Sequence, residues 1–531
     1  MFSSRGLFSA RLAFCCFVLF YLAQTCSRTS ADDASRSAKE SGAQRPNIVF
    51  ILADDLGYGE LGCYGQEKIL TPHLDQLARE GVRLTQHYSG APTCAPSRCV
   101  LMTGQNLAHA EIRGNRDSGN GRAFPGQWPL TEQAVTFPKL LQQAGYATAG
   151  FGKWGLGPTD SSGSPLRQGF QKFFGNNCQR NAHSYYPPFL DDDAGVRQIN
   201  DPPVPGHKKQ PDGEVADTKY RGAVYAPDLI LEEALKFLKQ PRKQAFFLYL
   251  PLVEPHVAMH PPQAWVDKYP LEWDQEQGAY RGENGYLPHS RPRAAYAAMI
   301  SHLDDQVGQV VAALKELGLY DHTIIVFTSD NGQTYEGSDP RFSIGGAACK
   351  FFNSSGGLRG AKGSCFEGGI RVPCIVRWPG VTTAGLSNDC PSYFPDWFPT
   401  LCHAAGVATP AEHPLDGVDL GGVLGGGQDP RRDEPLVWDF GEYGGIVAIR
   451  EGKWKAIRRE LNKPAPREWE LYDLAADPAE AHDLATTHPE IVARMEAAFL
   501  ETRTVEPDFP NKLYDSQTRS GTERRRANSG K

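Results

Sequence analysis

The stretch Asn47-Ile-Val-Phe-Ile-Leu-Ala53, running at once into Asp54-Asp55-Leu-Gly-Tyr-Gly59, decides how the rest of the chain is read. A continuous apolar run rich in β-branched residues suits a strand buried on both faces. Such a strand needs helices above and below it, and the sequence supplies them. Thr71-Pro72 followed by His-Leu-Asp-Gln-Leu-Ala-Arg-Glu-Gly81 carries an N-cap, Pro at the first helical position and a terminal Gly. A helix over 136–143, stopped by Gly145, precedes a strand-like 146–151. A helix over 223–238 precedes a strand at 245–250, and a long amphipathic helix over 292–317 precedes one at 323–328. Strands alternating with helices predict an α/β fold with a large, mostly parallel sheet sandwiched by helices.

Past residue 430 the pattern changes. Leu436-Val-Trp-Asp-Phe440, Gly445-Ile-Val-Ala-Ile449 and Trp454-Lys-Ala-Ile457 read as short antiparallel strands, with a helix over 489–501. We therefore expect a main domain over 46–429 and a smaller C-terminal α/β subdomain over 430–510 carrying an antiparallel sheet. The stretches 176–222 and 332–370 read as long binding or lid loops. Arg5 and Arg11 ahead of the apolar run 12–23 predict a signal peptide over 1–31. A linker follows over 32–45, and 511–531, with Arg519 and Arg524 to Arg526, reads as a disordered tail.

The 531 residues include 55 Lys+Arg against 62 Asp+Glu, a net charge of -7, with 40% hydrophobic residues. That excludes a disordered chain and argues against a nucleic-acid binder with a broad basic surface. No second long apolar segment follows the leader, so no stable membrane span is expected. The chain reads as exported, secreted or periplasmic. Of its 12 cysteines, three lie in or near the leader. The odd remainder leaves one unpaired thiol, and chemical conversion of one would leave eight able to form disulfides.

In an open parallel sheet, ligands bind beyond the carboxyl ends of the strands. The strand at 47–53 runs into Asp54-Asp55, that at 146–151 into Gly152-Lys153-Trp154, that at 245–250 into Glu254-Pro-His256, and that at 323–328 into Asp330-Asn331. Asp54, Asp55, Asp330 and Asn331 offer only hard oxygen donors, which favour calcium or magnesium over zinc. Cys94, in Pro92-Thr-Cys-Ala-Pro-Ser-Arg98-Cys-Val-Leu-Met-Thr-Gly104, precedes a short helix whose dipole favours an anion. Arg98 lies one turn on. Taken alone, Cys94 is either a nucleophile or a buried structural cysteine.

Cys94-Ala-Pro-Ser-Arg98 with Met102-Thr-Gly104 resembles the signature of the type I, formylglycine-dependent sulfatases, arylsulfatase-like members of the alkaline phosphatase superfamily. Asp54-Asp55, Gly152-Lys153-Trp154, Ser329-Asp-Asn-Gly332 and Gly360-Ala-Lys362 through Glu367-Gly-Gly-Ile-Arg-Val-Pro373 follow the family order over 46–480. The resemblance implies hydrolysis of sulfate esters, on a sulfated small molecule or sugar. It implies that a formylglycine-generating maturation enzyme converts Cys94 to Cα-formylglycine, and that Asp54, Asp55, Asp330 and Asn331 hold one calcium ion, with magnesium the alternative. The hydrated aldehyde would attack sulfur, with Asp330 as base and Arg98 holding the diol. Lys153 and Lys362 would neutralise the sulfate oxygens, and His256 would protonate the leaving oxygen, with His260, read as part of a surface turn, as the alternative acid.

One departure stands out: where the family commonly carries a histidine two residues after the lysine, this chain has Gly155. His183, in the loop with Arg180, Tyr185 and Tyr186, is the expected replacement. Arg180, His183, Arg113 and Asn115 are the expected substrate contacts, and the loop's rings and donors suit a sugar ring. The stretch Gly152-Lys-Trp-Gly-Leu-Gly157 resembles that of carbohydrate sulfatases, which implies a sugar of galactose type. The competing readings are a phosphate or phosphonate monoester hydrolase of the same superfamily and an inactive carbohydrate-binding relative.

Overall fold

Asn47–Ala53 is a strand along its whole predicted length, and every residue in it is buried. The computed structural model describes residues 45–117, 126–206, 208–283, 285–335 and 344–515. The predicted leader, nearly all of the linker and most of the tail lie outside these residues. Asn47–Ala53 pairs in parallel with Thr323–Ser329 on one side and Phe246–Pro251 on the other. Ala147–Lys153 and then Lys172–Asn176 continue the parallel block.

The full sheet has ten strands, in the order Leu386–Asn388, Val82–Leu84, Cys374–Arg377, Thr323–Ser329, Asn47–Ala53, Phe246–Pro251, Ala147–Lys153, Lys172–Asn176, Phe189–Asp192 and Gly195–Gln198. The large, mostly parallel α/β sheet is thus present, with antiparallel pairing near both edges. Part of the stretch read as a loop over 176–222 is therefore a hairpin, too short to show a period of its own.

Alternation along the central strand explains the layers, since successive side chains face opposite ways. Val49, Ile51 and Ala53 pack into one core with residues of the helices Pro292–Glu316 and Ala226–Lys239. Ile48, Phe50 and Leu52 pack into the other with residues of Cys94–Thr103 and Trp397–Ala404. The helix Pro72–Glu80 starts where predicted, but the Thr71 hydroxyl does not cap it. It accepts from the Gly62 N–H at 2.8 Å instead. The first helical N–H groups, those of His73 and Leu74, donate to the Asp304 carboxylate at 3.1 and 2.7 Å.

A second, four-stranded antiparallel sheet comprises Leu436–Phe440, Ile446–Glu451, Trp454–Arg459 and Glu470–Asp473. One face packs Val447, Ile449 and Ala456 with Met495 and Phe499 of the helix Pro489–Thr502. From its other face Trp438, Ala448 and Ile457 join the main core. The chain from Pro46 onward forms one compact unit. The nine cysteines among the described residues are all free thiols, none of them paired in a disulfide. Among the described residues no helix is long and apolar enough to cross a membrane.

Candidate active site

The parallel block delivers its chemistry to one edge. Asp54 and Asp55 follow the central strand, Lys153 ends its own, Glu254 and His256 follow Phe246–Pro251, and Asp330-Asn331 follow Thr323–Ser329. Asp55 sits at φ 66, a left-handed conformation that aspartate tolerates better than most residues. Its N–H donates to Asp330 Oδ1 at 3.2 Å, and its carboxylate accepts from Asn331 Nδ2 at 2.8 Å and Thr334 Oγ1 at 3.0 Å. Lys362 Nζ lies 2.8 Å from Asp55 Oδ1, while Lys153 Nζ donates to Asp54 Oδ2.

Cys94 is the first residue of the helix Cys94–Thr103, which is buried throughout. Its Sγ donates to Asp54 Oδ1 at 3.4 Å, so the thiol faces the carboxylates rather than the core. One turn on, Arg98 donates through Nε and Nη2 to Asp330 Oδ2 at 3.0 and 2.8 Å, and through Nη1 to the Lys153 carbonyl. Its guanidinium thus ties the Cys94 helix to two strand ends. His256 Nε2 lies 3.6 Å from Asp55 Oδ2, and the ring stacks on His183 at 5.0 Å between centroids.

Burial raises the Cys94 thiol to about 12, and the neighbouring Asp54 carboxylate reinforces it, so an unmodified thiol here stays protonated at neutral pH. Burial would also raise Asp54, but Lys153, His256 and Arg98 overcome it and hold that carboxyl well below its usual range. Asp330 moves the other way, to about 6, because burial and Asp54 outweigh Arg98. Burial, then Lys362, depresses His256 to about 4.

The cluster could hold a metal ion. Asp54, Asp55, Cys94 and His256 present ligand atoms within 4.8 Å of one another. Asn331 Oδ1 is buried with no hydrogen-bond partner, although its Nδ2 is fully engaged. A buried acceptor left unmatched costs roughly 1–3 kcal/mol, which a cation beside it would offset.

Above these residues lies a cleft of about 270 Å³, bordered by Cys94, Asn115, Arg180, His183, His256 and Lys362, with Gln127, Gln179, Tyr286 and Tyr443 on its walls. A cavity of about 730 Å³ opens at the opposite strand ends beside Thr148, Lys172 and Arg242, but its lining contains no acid and no thiol.

The sulfatase family model matches residues 46–407. The chain belongs to the sulfatase family. It is by class a sulfuric ester hydrolase. A second family model, N-sulphoglucosamine sulphohydrolase, C-terminal, matches 361–504 of this sulfatase. Steryl-sulfatase of Mus musculus is 33% identical over 78% of this chain and 70% of its own. Arylsulfatase A of Homo sapiens is 32% identical over 83% and 84%. The crystal structure of Ps i-CgsB in complex with k-i-k-neocarrahexaose is 26% identical, covering 92% of this chain and 97% of its own at a TM-score of 0.69.

Sequence-predicted residues Asp54, Asp55, Cys94, Arg98, Lys153, His256, Asp330, Asn331 and Lys362 of this sulfatase converge in one buried cluster. Arg180, His183 and Asn115 border the cleft, Arg180 while paired with Asp117 at 2.7 Å. Arg113 does not. Its guanidinium is buried against Asp439, Thr504 and the Ala110 carbonyl, leaving none of it for substrate. Tyr185 lies behind the site, donating to the His256 carbonyl at 2.5 Å, and Tyr186 is buried as well. His260 is not on a surface turn: it is buried, with Nε2 on the Pro288 carbonyl.

The space beside Gly155 is taken by Gln179. A Cβ built on Gly155, at φ +84, would lie 2.7 Å from Gln179 Nε2. Gln127, Gln179, Tyr286 and Tyr443 are among the cleft residues that sequence reading missed. Only the glycine at 155, where the family commonly carries a histidine, hinted that a neighbour occupies its place.

Proposed function

We propose that this sulfatase removes sulfate from a carbohydrate, using Cys94 converted to Cα-formylglycine and one calcium ion. The observation that carries the reading is Cys94 at a helix N-terminus, with its Sγ on Asp54 and an open cleft above it. Asp54, Asp55, Asp330 and Asn331 would hold the calcium, which supplies charge neutralisation and polarises a sulfate oxygen. Conversion of Cys94 by a maturation enzyme supplies a hydrated aldehyde, an oxygen nucleophile more reactive than a serine hydroxyl.

The remaining chemistry belongs to the chain's own side chains. Three carboxylates, Asp54, Asp55 and Asp330, face three cations, Arg98, Lys153 and Lys362. A divalent ion added to that balance leaves the floor net positive, which draws a sulfate ester in and steadies charge growing on its oxygens. Arg98 fixes Asp330, the base, relative to Cys94. Lys153, paired with Asp54, and Lys362, paired with Asp55, would share the sulfate oxygens. His256, at the cleft wall with His183 packed on its face, would protonate the leaving oxygen. Burial and Lys362 hold its ring neutral in the free protein, so it would take up that proton from solvent as the anionic sulfate ester binds beside it. Asn115, Arg180 and His183, with the amides of Gln127 and Gln179, present the donors and acceptors a sugar's hydroxyls require. An oligosaccharide bound to a similarly folded protein supports the carbohydrate class. The leader read from residues 1–31 supports export to the periplasm or beyond.

The test is sulfate release from a panel of sulfated galactose and glucosamine saccharides by protein matured in its own host, assayed beside phosphate and phosphonate monoesters. Turnover of a sulfated sugar that is lost in Cys94→Ala and on chelation is expected. Preference for a phosphonate monoester would overturn the reading.

A further inference from the structure

The small sheet reaches the cleft through one hairpin tip. Leu436–Phe440 and Ile446–Glu451 are joined by Gly441-Glu442-Tyr443-Gly444-Gly445, and Tyr443 lies on the cleft wall. Its side chain is 65% exposed, and it is the one aromatic among the large exposed hydrophobic residues of the described chain. Its backbone is also strained. Tyr443, Gly444 and Gly445 take φ 53, 94 and 81 in succession, so a glycine at 443 would make the same turn without opposition from a Cβ.

The ring is nevertheless held in place. It stacks on Phe440 at 5.8 Å between centroids and 28° between planes. A Cβ on Gly363, the residue after Lys362, would come within 2.6 Å of Tyr443 Cε1, so the ring rests on the Lys362 turn. The preceding residue fixes the tip to the nucleophile helix. Glu442 Oε1 accepts from the Asn115 N–H at 2.9 Å, and Asn115 Oδ1 accepts from the Ala95 N–H at 3.0 Å, beside Cys94.

An exposed aromatic in a strained turn, anchored on both sides to the reacting residues, is placed for a ligand rather than for the core. We propose that Tyr443 is a specificity-determining platform on which the pyranose ring carrying the sulfate packs its C–H face. This rests on the carbohydrate reading above and adds the residue that enforces it. The polar walls hold the hydroxyls, the charged floor holds the sulfate, and Tyr443 supplies the apolar contact a sugar ring needs in water.

Tyr443→Ala and Tyr443→Phe are compared with wild type on the best wild-type sulfated saccharide, with inorganic sulfate as competitive inhibitor. Sulfate reports the floor and does not extend to the ring. The alanine variant is expected to raise KM roughly tenfold with kcat little changed, while the phenylalanine variant behaves as wild type and inhibition by sulfate is unaltered in both. Unchanged KM in Tyr443→Ala would overturn the proposal, as would sulfate inhibition weakened in parallel, since that would mark a disturbed Lys362 turn. A wild type that cleaves aryl sulfates but no sulfated saccharide would instead refute the carbohydrate reading, and this inference with it.

Discussion

Gly155→Ala tests how the cleft is built. At φ +84 a residue with a Cβ costs roughly 1–2 kcal/mol of backbone energy that glycine does not. The new Cβ would also stand 2.7 Å from Gln179 Nε2. That atom is the far end of a flexible side chain, so it gives way, but only by leaving its place on the cleft wall. The variant should therefore lose about 1–2 kcal/mol of unfolding free energy and lose kcat/KM as well. Gln179→Ala alone removes a buried, unpartnered amide nitrogen and should be nearly neutral in stability. Combined, the two should be less destabilising than the sum of the singles by about 0.5 kcal/mol or more, because the contact is gone while the backbone cost remains. Denaturant midpoints and steady-state kinetics on the four proteins of the cycle supply the numbers. A neutral Gly155→Ala, or strictly additive stabilities, would refute the reasoning.

Three further outcomes follow from other parts of the structure. Lys455→Met leaves Glu367 and Glu480 buried without the ammonium now 2.7 and 3.0 Å from them, and denaturant unfolding should show a loss of about 3–5 kcal/mol. Burial raises Glu480 from 4.5 to about 7 despite Lys455, with Glu367 adding to it. The folded chain therefore holds more protons than the unfolded one between those values, so stability falls as pH rises through that window, by on the order of 3 kcal/mol. Glu480→Gln should flatten that slope in a pH series of melting curves. His256→Gln should lower kcat about 10²–10⁴-fold on a sugar sulfate, whose alkoxide leaves poorly, and far less on an activated aryl sulfate.

Much of the fold was legible because burial on both faces writes itself into composition. Residues 48–53 and 324–327 are unbroken apolar runs, and the acids that follow soon after them are conspicuous for ending such strands. The cluster of Asp54, Lys153, His256 and Asp330 followed from strand ends alone. Short strands near the sheet's edge such as Phe189–Asp192 were not legible, since four residues of mixed polarity carry no period. Thr71 marked its helix correctly, yet the capping carboxylate comes from Asp304, on another helix. Arg113 misled because its partners, Asp439 and Thr504, lie more than three hundred residues away in sequence. Gln179 and Tyr443 belong to no motif. Their roles come from a left-handed backbone and from neighbours that only the folded chain supplies.

The most direct test is peptide mass spectrometry across residue 94 in active protein from its own host, with turnover measured on the same sample. The account predicts an aldehyde or its hydrate at that position, in a fraction that tracks the specific activity. Full activity from protein whose residue 94 is wholly unmodified cysteine would contradict it.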